Sequence, residues 1–139
     1  CYCGAVSVEA RAPALTVAYC HCADCRRLTG APVAAFAAFA EGTVRLDPMP
    51  EKAAQVTRGV DRWFCPDCGS ALKARFDYLP GQVYVPLGLL DQADALQPDQ
   101  HCHDAARLPW MHIDDDTPRE IASGRDRLNR AAPNPETCG

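Results

Sequence analysis

Cys20-His21-Cys22-Ala23-Asp24-Cys25 places three thiols within six residues. Two thiols precede it, Cys1 and Cys3, and two follow, Cys65 and Cys68, so seven of the nine cysteines fall into three short clusters. Tetrahedral zinc takes thiolates at about 2.3 Å, and pairs such as C-x2-C each supply two corners. Seven donors divide most simply into four plus three. A closed four-thiolate site would hold the fold, and a three-thiolate site would keep one corner for chemistry.

Read outward from that stretch, the chain is a series of short strands. In the C-x-C of Cys1 and Cys3, and again in Cys20 and Cys22, two sulfurs project from one side of an extended backbone. His21 then points to the opposite side, where a structural hydrogen bond is expected. Residues 5–10, 15–19, 32–40, 43–46, 55–57, 60–64, 71–76 and 82–87 read as strands, the last two forming a hairpin about Leu79-Pro80-Gly81. Residues 23–28 read as a single helical turn carrying Cys25 and stopped by Thr29-Gly30. Cys65-Pro66-Asp67-Cys68-Gly69 reads as a zinc-ribbon-like knuckle, with Gly69 supplying the positive φ of its turn. The fold class expected is mainly β, in a single domain over residues 1–121. Residues 122–139, rich in Arg, Asn and Pro, are expected to form a loosely held tail.

Composition narrows the functions open to such a domain. The 139 residues carry a formal net charge of −4 and only two lysines, Lys52 and Lys73. Thiolate centres add further negative charge, so a phosphate backbone would be repelled and no nucleic-acid partner is expected. No apolar run approaches the roughly 18 residues of a membrane span, so no membrane partner is expected. An odd cysteine count and C-x-C spacing disfavour a disulfide framework. With no leader ahead of Cys1, a reducing cytoplasm is the expected setting.

Knuckle thiols Cys65 and Cys68 need two partners from elsewhere. Counting favours Cys1 and Cys3, but spacing alone also allows two of Cys20, Cys22 and Cys25. Five stretches then align in order with one family: Cys1-Tyr2-Cys3-Gly4-Ala5-Val6, Cys20-His21-Cys22-Ala23-Asp24-Cys25-Arg26, Thr29-Gly30-Ala31-Pro32, Phe64-Cys65-Pro66-Asp67-Cys68-Gly69 and Arg107-Leu108-Pro109-Trp110. On these residues the chain resembles the glutathione-dependent formaldehyde-activating enzyme and centromere protein V family, from Cys1 to about Ile121. The resemblance implies several coiled antiparallel β-sheets and two zinc ions per chain. It implies Cys1, Cys3, Cys65 and Cys68 as structural ligands, and Cys20, Cys22 and Cys25 as ligands of a catalytic-type zinc. It also implies a carbon–sulfur lyase type of activity on a thiol and an aldehyde, glutathione and formaldehyde giving S-hydroxymethylglutathione.

Arg26, Arg27 and His101 are the candidates for the substrate's vicinity, against a plainer reading of the arginines as a solvated turn. His101 and His103 are able to complete the second zinc or to shuttle a proton, or to be ordinary polar loop residues. The family pattern has a histidine at His101, whereas Cys102-His103 stands where larger apolar or aromatic side chains are usual. Trp63 and Trp110 read as core or rim aromatics, Asp114-Asp115-Asp116 as a solvated loop, and Cys138 as a free thiol. The rival to an enzyme is a non-catalytic adaptor or binding module in which both zincs are structural. A redox-sensing or metal-buffering protein is a third reading.

Overall fold

A computed structural model describes residues 1–132; Cys138 lies outside them. Six strands form the main sheet in the order β5-β6-β7-β3-β2-β8, and β1 pairs with β4 in a small second sheet. The strands are β1 Ser7–Ala10, β2 Thr16–Cys20, β3 Ala34–Ala40, β4 Val44–Asp47, β5 Val60–Phe64, β6 Ala71–Phe76, β7 Gln82–Pro86 and β8 Gln100–Cys102. Helix α1 spans Ala23–Thr29 and α2 spans Arg125–Arg130. Every strand pair is antiparallel except β2 with β8, which run parallel with Tyr19 opposite His101 and Cys20 opposite Cys102. Residues 55–57, expected as a strand, are not one; Ala54 makes only an isolated bridge to Arg62.

Strand alternation sorts the core into two faces. Val17 of β2, Ala37 and Phe39 of β3 and Val83 and Val85 of β7 share one face, covered by Val44, Val8 and Ala10 of the small sheet. Ala18, Ala38, Tyr84 and Cys102 lie on the other, with Leu79 and Leu128 against them. Ala37 and Ala38 are wholly buried in the middle of the sheet. Alanine is a weak strand former, but in β3 its small side chain lets cover pack closely on both faces. The β3 sequence Ala-Ala-Phe-Ala-Ala-Phe-Ala is therefore a strand by burial rather than by propensity.

The expected loose tail is corrected between Ala122 and Ala132. Gly124 adopts φ 64° and begins α2, whose Leu128 is 6% exposed and packs beside Tyr84 and Cys102. Just before it, the backbone of residues 118–122 lies along β8: His101 N–H donates to Pro118, Glu120 N–H to His101 and His103 N–H to Ala122. The helix is short, and its single apolar residue in Arg-Asp-Arg-Leu-Asn-Arg leaves no periodicity to read. Tertiary packing, not propensity, holds it. Leu128→Ala is expected to lower stability by about 2–4 kcal/mol through the lost side chain and the cavity left, seen as a reduced urea midpoint. An unchanged midpoint would mean that this segment contributes nothing to the fold.

Candidate metal centres and cavity

The first centre gathers Cys1, Cys3, Cys65 and Cys68, whose sulfurs all lie within 4.8 Å of one another. Three edges are 3.7 Å for Cys1–Cys3, 3.6 Å for Cys1–Cys65 and 3.8 Å for Cys3–Cys65. A tetrahedron with bonds of about 2.3 Å has edges of about 3.8 Å, so the donor set fits one zinc ion. The knuckle forms the turn between β5 and β6: Gly69 N–H donates to the Cys65 carbonyl with Gly69 at φ 75°. Backbone and side-chain donors already favour anionic sulfur here. Val6 N–H donates to Cys1 Sγ at 3.2 Å. The hydroxyl and then the backbone N–H of Ser70 draw the Cys68 thiol down to about 6. Cys65 is buried beside Val6, Leu46 and Leu72, so this centre fastens the amino-terminal segment to the β5–β6 hairpin.

The second centre begins where β2 ends. Cys20 and Cys22 sulfurs are 3.5 Å apart, and Cys22 caps α1 by accepting the Cys25 backbone N–H at 3.3 Å. Hydrogen bonding from Cys25, helped by Cys22, draws Cys20 down to about 6. Cys25 is pushed up, first by its hydrogen bond to Cys20 and then by burial, and Cys22 is pushed up mainly by burial. A divalent metal is what would allow all three to ionise together. His103, one of the two histidines read from the sequence as able to complete this centre, brings a ring nitrogen within 4.8 Å of the Cys20 and Cys22 sulfurs.

These thiols line a cavity of about 300 Å³. Phe36, Phe76, Tyr78 and Tyr84 give it apolar walls, and Arg62 and Arg125 give it positive charge. Arg125 Cζ stands 3.7 Å over the Tyr78 ring. The arginines expected near the substrate are elsewhere. Arg26 donates to the backbone carbonyls of His21 and Ala106 and ties α1 to the turn after β8. Arg27 is exposed and, like Arg26, does not line the cavity.

His101 is also displaced from its expected place. It follows the alternation of β8, so with Cys102 on the cavity face it lies on the other, wholly buried. There its Nε2 is 2.9 Å from Asp115 and its Nδ1 is 2.8 Å from His21 Nε2. A carboxylate only accepts, so His101 Nε2–H donates to Asp115, and the facing nitrogens His101 Nδ1 and His21 Nε2 share one hydrogen bond. Burial, then the neighbouring His101, lowers the His21 pKa and keeps it neutral. The expected structural hydrogen bond of His21 is thus with a second histidine. His21, His101 and Asp104 also lie close enough to suggest a metal, but the ring nitrogens that face each other are spent on their mutual bond. Asp115, expected as solvated, instead accepts from His101, Thr117 and Arg119. Trp110 is 64% exposed, a rim position rather than a core one.

With the geometry in place, comparison with known proteins is decisive at one level. The family model of the glutathione-dependent formaldehyde-activating enzyme matches residues 1–105. The chain belongs to that family. A crystal structure of a Rhodobacter sphaeroides protein is similar in fold, with a TM-score of 0.55, 22% identity and coverage of 86% of this chain and 96% of that one. No curated protein matches the chain. The family match stops short of Arg125 and Leu128, so one wall of the cavity is built from residues beyond it.

The histidine–aspartate chain generates a pH prediction. The hydrogen bond from His101, then those from Thr117, hold the Asp115 carboxyl near about 2, below its ordinary 3.8. The unfolded carboxyl binds a proton more readily than the folded one, so its stabilisation is present above about pH 4 and lost as pH falls toward 2. Asp115→Asn should therefore be less stable than the parent at neutral pH, with the gap closing over that acid range. A gap independent of pH, measured by urea unfolding, would contradict it.

Proposed function

We propose that this protein is a zinc-dependent carbon–sulfur lyase-type enzyme that acts on a thiol–aldehyde adduct, of the S-hydroxymethylglutathione synthase kind. The observation that carries the reading is the exposure of the Cys20–Cys22–Cys25 cluster to a cavity large enough for a small thiol. A purely structural metal centre has no need of such a cavity, which favours the enzyme over a non-catalytic binding module. Glutathione, with two carboxylates, suits walls that set Arg62 and Arg125 among aromatic rings. The reading places two zinc ions in each chain, in the cytoplasm, one held by Cys1, Cys3, Cys65 and Cys68 and one by Cys20, Cys22 and Cys25.

When bound at the second centre, zinc supplies a lowered thiol pKa, so that an incoming thiol is held as thiolate at neutral pH. The chain's own residues provide the rest. Cys20, Cys22 and Cys25 hold the metal and do not attack the substrate. Their negative charge makes zinc a poor activator of carbonyls, which suits delivery of a nucleophilic sulfur. Arg62 and Arg125 bind the carboxylates and orient the thiol toward the cluster. Phe36, Phe76 and Tyr78 exclude water from the reacting atoms. Tyr84 Oη donates to Gln82 Oε1 at 2.8 Å, and burial raises its pKa, so it serves as wall rather than acid. In the synthetic direction a sulfur–carbon bond forms, the carbonyl π bond breaks, and the thiol proton ends on the former carbonyl oxygen. The lyase direction reverses each change.

Two measurements test this. Cys22→Ser, with folding verified, should lose metal from the second centre and handle formaldehyde with glutathione no better than solution does; parental turnover would sink the reading. Arg62→Gln and Arg125→Gln should each raise KM for glutathione by about 3- to 10-fold with little change in kcat, the loss expected for one charge-assisted contact. KM values that stay at the parental level in both would remove the arginines from substrate binding.

A further inference from the structure

We propose that His103 is the fourth ligand of the second metal centre, giving this chain a three-cysteine, one-histidine donor set. The inference rests on the reading that Cys20, Cys22 and Cys25 hold a metal, and adds to it a residue from the far end of the sheet.

Three observations converge. First, a His103 ring nitrogen and the Cys20 and Cys22 sulfurs all lie within 4.8 Å of one another, and Cys25 lines the same cavity beside them. A cation held by the Cys20 and Cys22 sulfurs would therefore stand within reach of the His103 ring. Second, His103 has φ 54°, and among the described residues it is the one non-glycine in that left-handed region. Side chains other than glycine adopt it at an energetic cost, and outliers of this kind gather at functional sites. Here the strain is held by hydrogen bonds on both sides: His103 N–H donates to Ala122, and Ala106 N–H donates to the His103 carbonyl. Third, the parallel register sets Cys102 opposite Cys20. Continued extended alternation would send residue 103 to the face of His101, away from the cluster. The left-handed turn ends the strand at Cys102, and the His103 ring instead lines the same cavity as Cys20, Cys22 and Cys25. The backbone distortion has the effect of delivering an imidazole to the Cys20 and Cys22 thiols.

The donor set also balances better than three thiolates alone. A neutral imidazole completes tetrahedral zinc without adding charge to a centre already carrying three anionic sulfurs. An incoming thiol must then compete with His103, a neutral donor and so a weaker anchor than the anionic cysteines.

The test is cadmium-113 nuclear magnetic resonance on the full chain loaded with cadmium, with proton–cadmium correlation to identify ligands. Two cadmium resonances are expected. One should correlate with cysteine β-protons only, and the other with cysteine β-protons and with imidazole ring protons. His103→Asn keeps a side chain tolerant of the left-handed backbone. It should abolish the imidazole correlation and shift that resonance, with the four-cysteine resonance unmoved as the control for folding. A second resonance that lacks imidazole coupling and is unmoved in His103→Asn overturns the assignment of His103 alone. A missing second resonance in the parent overturns the metal-centre reading itself, and His103 with it.

Discussion

Everything at the second centre depends on how β2 is paired. Cys20 is the last residue of β2, and the parallel strand β8 lies beside it with Cys102 in register. Because side chains alternate, this single pairing sends Cys20 and Cys102 to one face and Tyr19 and His101 to the other. One face then carries thiols and a cavity. The opposite face carries a buried polar chain, His21 to His101 to Asp115. That chain is absent from the cavity's lining, yet it fixes the residue between Cys20 and Cys22, and so fixes the two thiols on either side. A metal ligand is only as well placed as the backbone behind it.

The pairing is itself secured by polar contacts that burial makes strong. Gln100 Nε2 donates to Thr16 Oγ1 at 2.9 Å, and Thr16 Oγ1 donates to Asp99 at 2.7 Å. Asp99 also accepts the Val17 backbone N–H at 3.1 Å. Thr16 and Gln100 are buried, and a one-residue slip would leave both unpaired, so they admit one register. The first centre plays a different part, closing the amino-terminal segment onto the β5–β6 hairpin and leaving its sulfurs remote from the cavity. One cluster thus closes the chain on itself and the other faces a cavity.

Much of this could be read from the residues. Cysteine spacing grouped the thiols, and the knuckle at Cys65–Cys68 forms a hairpin turn with Gly69 at positive φ. The alternation across Cys20-His21-Cys22 placed His21 opposite the ligands. What stayed hidden has specific physical causes. β8 is three residues of Gln, His and Cys, all buried; its polar content reads as loop because its bonding partners lie far away in sequence. Without that strand the faces of His101 and His103 cannot be told apart, although only His103 lines the cavity. Arg62 and Arg125 meet only through the fold, one from β5 and one from α2. Arg26 and Arg27, adjacent to Cys25 in the chain, are carried away from the cavity by the turn of α1.

The central claim is that two clusters of different design hold two metals, one closing the fold and one facing a cavity. Anomalous diffraction from crystals of the zinc-loaded protein, collected on either side of the zinc absorption edge, tests it most directly. The account predicts two peaks per chain, one amid Cys1, Cys3, Cys65 and Cys68 and one among Cys20, Cys22 and Cys25 on the cavity wall. A single peak at the first cluster, with the second cluster's thiols free or joined to each other, would contradict it.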